Sequence, residues 1–175
     1  MTTPLWQPST TAIESTQMHA LMQRIKREHD IDLNDYESLH AWSVEHLETF
    51  WSLLWDEFDI VAERRGEDVL VHPDAMPGAR WFPQARLNYA ANMLRRRDAH
   101  PALIVRDERR RRRVISYAEL YDQVARLAHA LQASGVTEGD RVAGFVPNSE
   151  HAVIALLATA SLGAVWSSCS PDFGT

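Results

Sequence analysis

The last third of the chain alternates strand-like and helix-like apolar patterns at short intervals, and this alternation limits the fold more than any other feature. Arg141 to Val146 is an apolar run stopped by Pro147, Ser149 stands as a cap before an apolar helix from His151 to Leu162, and Gly163 leads into a second run, Ala164 to Ser168. Strand, helix and strand on short connections form a βαβ unit, with parallel strands and a crossover that is normally right-handed. The helix is apolar on several sides, as burial between a sheet and a neighbouring layer requires. Just upstream, Ala102 to Val105 and Val114 to Tyr117 flank a charged turn and read as a hairpin. Ser116 precedes Glu119 by three residues, a capping box in which hydroxyl and carboxylate satisfy each other's backbone N–H. A helix therefore starts there, buries Leu120, Val124, Leu127, Ala128 and Leu131, runs about 27 Å at the α-helical rise, and ends at Gly135. From Ala102 onward the architecture is α/β.

The first hundred residues read mainly as helix. Ile13, Met18, Leu21, Met22 and Ile25 recur at helical spacing, and so do Val44, Leu47, Trp51, Leu54, Trp55 and Phe58, with Ser43 as an N-cap for the second run. Trp42, Trp51 and Trp55 widen that second stripe, so it needs a partner broader than one neighbouring helix; core packing accounts for these aromatics without a ligand. Between Gly66 and Pro83 the prolines Pro73, Pro77 and Pro83 and the glycine Gly78 break the pattern, which makes this the internal boundary. A short helix, Leu87 to Arg97, follows it.

At 175 residues with 45% hydrophobic and 24% charged content, the chain falls among globular sequences, and its length fits one domain or one domain and part of a second. Eighteen basic against 24 acidic residues leave a net charge of -6, which disfavours nucleic acid and anionic membrane surfaces as partners. The longest apolar stretch, Ala152 to Trp166, is shorter than the roughly 20 residues of a membrane span, and the start lacks the pattern of a secretory signal. A single cysteine, Cys169, allows no intrachain disulfide and reads as a small buried hydrophobe in a cytoplasmic chain. Lys26 is the sole lysine, so any ammonium chemistry would rest on it.

Motifs with chemistry of their own are sparse. The glycines form neither a G-x-x-x-x-G-K nor a G-x-G-x-x-G pattern, so no phosphate cradle is evident. Asp30-x-Asp32-x-Asn34 imitates the opening of a calcium loop, but Asp35 and Ala41 stand where glycine and glutamate belong, so a helix-capping loop is expected. His40 and His46 lack the spacing of a metal pair. Arg109 to Arg113 lies at the hairpin turn behind Asp107 and Glu108 and reads as a solvated loop. Cys169 has no histidine beside it that would activate a nucleophile.

A resemblance rests on spaced motifs in order: Ile115-Ser-Tyr-Ala-Glu-Leu120, Ala128-x-x-Leu131, Gly135-Val136, Gly139-Asp140-Arg141-Val142-Ala143, Pro147-Asn148 and Gly163-Ala164-Val165. Together they resemble the N-terminal part of adenylate-forming acyl-CoA synthetases. Trp81-Phe82-Pro83 and Arg86-Leu87-Asn88-Tyr89-Ala90-x-Asn92 are similar to the segment entering that domain in acetyl-CoA synthetase relatives. The tail from Trp166 through Ser170-Pro171-Asp172-Phe173-Gly174 resembles acetoacetate–CoA ligases. Gln84 and Ala91 depart from the family, where glycine and glutamate are usual.

The resemblance implies ATP-dependent activation of a carboxylate, with Mg²⁺, to an acyl-adenylate, and then thioester formation with coenzyme A. It implies acetoacetate or a similar short acid as the small-molecule substrate. The family's phosphate loop, nucleotide motifs and catalytic lysine match nothing in residues 1–175, and Lys26 does not align with that lysine. No catalytic or metal-binding residue is therefore assigned. The expected fold is a helical N-terminal leader (1–84) followed by the first βαβ part of an AMP-binding α/β domain (85–175), incomplete. In parallel sheets ligands gather at the C-terminal strand ends, which makes Ser170, Pro171, Asp172 and Phe173 candidates for the coenzyme A or acyl channel. The chain alone is expected to lack activity, to hold none of these cofactors tightly, and to pair with the rest of the enzyme. A stand-alone interaction module, a decayed gene product that pairs with another polypeptide, and an arginine-loop nucleic-acid binder are the competing readings.

Overall fold

The computed structural model describes residues 5–108 and 111–172. These divide into two compact units, one of residues 5–58 and 69–81, the other of 59–68, 82–108 and 111–172.

The first unit holds α1 (Thr10–Glu14), α2 (Gln17–His29), α3 (Tyr36–Glu45), α4 (Leu47–Glu57) and a small antiparallel pair, β1 (Leu70–Val71) with β2 (Arg80–Trp81). The periodic run from Ile13 to Ile25 is two helices rather than one. Thr16 caps α2 by accepting from the His19 N–H, and only the run's later members, Met22 and Ile25, are buried. The Asp30–Asp35 loop does cap helices: Asp30 ends α2 in the left-handed region, and Asp35 forms a capping box with Ser38 at the start of α3. Lys26 pairs with Asp32 at 3.0 Å.

The expected helix from Val44 to Phe58 is instead split at His46, and Ser43 is no N-cap. Ser43 lies inside α3 and its hydroxyl donates to the His40 carbonyl. The Phe50 N–H still reaches the His46 carbonyl, so the break is a single turn residue. The His46 ring stacks on Trp42 at 5.5 Å. Trp42, Leu39, Leu53, Leu33, Met22 and Ile25 make this unit's core. At roughly 1.5–3 kcal/mol per large apolar side chain, that burial orders the short helices.

The second unit carries α5 (Tyr89–Met93), β3 (Pro101–Arg106), β4 (Arg112–Ser116), α6 (Tyr117–Ala133), β5 (Arg141–Phe145), α7 (Glu150–Ser161) and β6 (Val165–Cys169). α5 is shorter than the expected Leu87–Arg97 helix. Asn88 caps it by accepting from the Ala91 N–H, and it ends at Leu94. β3 and β4 form the expected hairpin, with Ile104 opposite Val114 and Arg106 opposite Arg112. The capping box of Ser116 and Glu119 starts α6. Gly135 at φ +92 ends it with paired Gly135-to-Gln132 and Val136-to-Leu131 hydrogen bonds, a Schellman closure. β5 and β6 pair in parallel across α7, with Val142 opposite Trp166, as a βαβ unit requires. Ile115, Leu120, Val124, Ile154, Leu157, Ala158, Ala90 and Leu94 form this unit's core, in which α6 and α7 face each other. Among the described residues, no helix is long and apolar enough to cross a membrane.

Candidate functional site

The parallel register of β5 and β6 brings two segments to one edge: Phe145 to Ser149 after β5, and Cys169 to Asp172 after β6. The Val146 N–H donates to the Cys169 carbonyl at 3.2 Å, which carries the pairing one step past the strands. Beyond it, the Ser170 hydroxyl donates to Asp172 Oδ2 at 2.9 Å and accepts from the Asp172 N–H at 3.2 Å. Pro171 is held inside this local turn. The polar atoms of Ser170 and Asp172 thus satisfy each other, and Phe173 lies outside the described residues.

Cys169 is exposed, not a buried hydrophobe. β6 pairs with β5 on one side, and the residues that alternate with Trp166 point away from it; Val165 and, on β5, Phe145 are exposed at 55% and 66%. Trp166 lies on the other face, where its ring packs so closely over Gly144 that a Cβ there would sit 2.9 Å from Cζ2.

Helix α7 begins at this same edge. Its first turn carries Glu150, 8% exposed, whose carboxylate is ion-paired with Arg113 reaching over from β4. The positive end of the helix is therefore met by the chain's own carboxylate, and the arginine that could have drawn a phosphate is engaged. The Ser149 hydroxyl beside it is buried without a hydrogen-bond partner. The residues at this edge do not fit the triphosphate of ATP, and no step of nucleotide chemistry is assigned to them.

Sequence reasoning did not find the Arg113–Glu150 pair, because the arginine run draws attention as a whole while its strand alternation decides the partners. Arg111 pairs with Asp107 at 2.6 Å and Arg113, itself exposed, reaches the buried Glu150, whereas Arg109 and Arg110 lie outside the described residues. Asn88 was also missed as a cap, although asparagine before a helical run is a standard signal. Its amide further donates to the Ala160 carbonyl at 2.8 Å and so ties α5 to the end of α7. An open depression of about 600 Å³, lined by Glu63, Arg86, Asn88 and Glu138 among others, lies by the start of β5 and the end of α7. That is the opposite strand edge from the one where such sheets bind ligands.

The sequence profile of AMP-binding enzymes matches residues 90–175, and that of the acetyl-coenzyme A synthetase N-terminus matches residues 36–93. The chain belongs to the AMP-binding enzyme family, in its acyl-CoA synthetase branch. Within that branch it is 42% identical over 171 residues to the acetoacetyl-coenzyme A synthetase of Rhizobium meliloti (strain 1021), a match covering 98% of this chain and 26% of the relative. The malonamoyl-CoA synthetase of Penicillium aethiopicum is 39% identical over 177 residues, with 97% and 24% covered. The structure of acetoacetyl-CoA synthetase from Streptomyces lividans superposes with a TM-score of 0.89 at 44% identity, over 99% of this chain and 27% of that one. The chain thus spans about a quarter of the length of these relatives and corresponds to their N-terminal part.

Proposed function

We propose that the chain is the N-terminal part of an acetoacetate–CoA ligase, which joins acetoacetate to coenzyme A at the expense of ATP. The observation that supports this most is the agreement of both units with the Streptomyces lividans acetoacetyl-CoA synthetase over 99% of the chain at 44% identity. On this reading residues 1–84 are the helical leader, and residues 85–175 open the AMP-binding domain and supply its first parallel strand pair. The turn at Ser170, Pro171 and Asp172, with Phe173 next in sequence, lies along the coenzyme A and acyl channel as a wall. ATP and Mg²⁺ are held elsewhere in the enzyme: the edge formed here is already neutralised by Glu150 and Arg113, and the one lysine is engaged with Asp32. The protein works in the cytoplasm on a small acid, without nucleic acid or membrane, and the α/β unit pairs with the rest of its domain.

The test joins this chain to the remainder of the Streptomyces lividans synthetase in place of that enzyme's matching N-terminal quarter. Acetoacetate-dependent exchange of pyrophosphate into ATP is the expected result, with none from residues 1–175 alone. A folded joined protein with no exchange, or exchange that favours a different acid, overturns the proposal; turnover by the purified chain overturns its division of labour.

A further inference from the structure

The chain does not pass from the first unit to the second in one step. It leaves the first unit after Phe58, returns after Asp68 and leaves again after Trp81, so residues 59–68 belong with the α/β unit although the leader flanks them on both sides. None of these ten residues is buried, and they hold neither helix nor strand, only the isolated antiparallel bridge of Arg64 with Arg86. Apolar burial therefore does not fix this segment in place.

Hydrogen bonds do, and they go mainly to its main chain. The Asn92 side chain engages both polar groups of Val61: its Oδ1 accepts from the Val61 N–H at 2.9 Å, and its Nδ2 donates to the Val61 carbonyl at 2.9 Å. Arg95 Nη1 donates at 2.7 Å to the carbonyl of Asp59, whose φ is +54. Further along, the Glu63 N–H donates to the Arg86 carbonyl and the Arg86 N–H donates to the Arg64 carbonyl, each at 2.8 Å. Arg64 Nε donates to the Gln84 carbonyl at 2.9 Å, and the Gln84 side chain closes the far end on Asp68. The side chains of Val61 and Glu63 add little: Val61 is 47% exposed, and Glu63 meets Arg86 at 3.4 Å in an exposed ion pair. The network also continues into α5 and beyond. Asn92 Nδ2 donates to the Asn88 carbonyl at 3.0 Å, and Asn88 in turn donates to the Ala160 carbonyl at the end of α7. A five-residue helix such as α5 is too short to persist on its own backbone bonds, so its place depends on what it binds.

We propose that α5, Arg95 and residues 84–86 form a receptor for extended main chain, that residues 59–68 are the strap seated in it, and that the α/β unit depends on this strap to hold α5. Because main-chain atoms are what the receptor engages, the strap tolerates changes to its own side chains at Val61 and Glu63 and does not tolerate loss of Asn92 or of a strap N–H. The α/β unit thus begins physically at Asp59, well before residue 90, where the AMP-binding profile starts. The proposal goes beyond the ligase reading and does not rest on it, since amide protection reports the strap whether or not the joined protein exchanges pyrophosphate.

Amide hydrogen exchange, followed residue by residue by NMR in the purified chain, tests it. The Val61, Arg86 and Leu94 amides should be protected together. Asn92→Ala should speed exchange at all three by at least about tenfold while amides within α2 of the other unit keep their rates. Asn92→Asp keeps the acceptor for the Val61 N–H and loses the donor, so it should fall between; it also carries the test where Asn92→Ala does not fold. The strap is then perturbed from its own side. Glu63→Pro removes the N–H that reaches Arg86 and should speed exchange at Val61 and at Leu94 in α5, whereas Glu63→Ala should leave both within about twofold. Unprotected Val61 and Arg86 amides in the unaltered chain, or unchanged rates in both Asn92 variants, overturn the proposal. A Leu94 rate that Glu63→Pro leaves unchanged overturns the dependence of α5 on the strap, and equal effects of Glu63→Ala and Glu63→Pro overturn recognition through the main chain.

Discussion

Single residues set where the α/β unit begins and how tightly it closes. The Ser116 hydroxyl accepts from the Glu119 N–H at 3.2 Å, while the Glu119 carboxylate accepts from the Ser116 N–H at 2.8 Å. The backbone and then the side-chain hydrogen bond from Ser116 hold the Glu119 carboxyl below its ordinary value of 4.5. Its folded-state pKa is thus depressed, so its contribution is fully present above 4.5 and is lost as pH falls through the lower folded value. Ser116→Ala should cost about 1 kcal/mol in a denaturant melt at neutral pH, and Glu119→Gln should flatten the acid limb of the stability profile. Gly144→Ala should cost about 1–3 kcal/mol, because the new methyl overlaps the Trp166 ring; an unchanged melting temperature would show that the ring shifts freely. The family departure at Gln84 also has a local role. Its side chain accepts from the Asp68 N–H and donates to the Asp68 carboxylate, so it pins the turn where Gly66 leaves room for it.

At the scale of elements, legibility followed whether a boundary had a local chemical marker. α6 was readable at both ends, since a capping box opens it and a glycine in the left-handed region closes it. The hairpin and the parallel pair were readable from their apolar runs. The α3–α4 break was not. His46 gives α4 no side-chain N-cap and the apolar spacing runs on, while the contacts at the break are ones that spacing does not show: the His46 ring stacks on buried Trp42 and its Nδ1 lies 3.2 Å from the Trp42 carbonyl. Partner choice was equally hidden. Arg113 and Glu150 are 37 positions apart in sequence, and only the hairpin register turns Arg113 toward α7. Arg113→Ala leaves a mostly buried carboxylate without its cation and should cost about 1–3 kcal/mol, whereas Arg113→Met with Glu150→Gln should recover much of that loss. A double variant destabilised by the sum of the two single-variant losses in a mutant cycle would show that the two side chains act independently.

At the scale of the molecule, two cored units account for the first quarter of an AMP-binding enzyme, and the faces they leave open indicate what the rest contributes. The turn at Ser170 to Asp172 was legible as the candidate edge because the βαβ pattern fixes which strand ends carry ligands. Its chemistry was not legible, since both polar side chains turn on each other. The exposure of Phe145, Val165 and Cys169 has a simple cause: parallel strands are buried on both faces in complete domains, and one face of this pair is uncovered. Cys169 is the one cysteine of the chain and reports on that face directly. The decisive measurement is therefore its alkylation rate, read by mass spectrometry in residues 1–175 alone and in the chain joined to the remainder of the Streptomyces lividans synthetase. Labelling of the free chain should be fast, and labelling of the joined protein at least about tenfold slower, because further layers of the domain cover β6. Equal rates in two folded proteins would contradict the assignment of this sheet to the interior of a larger ligase domain.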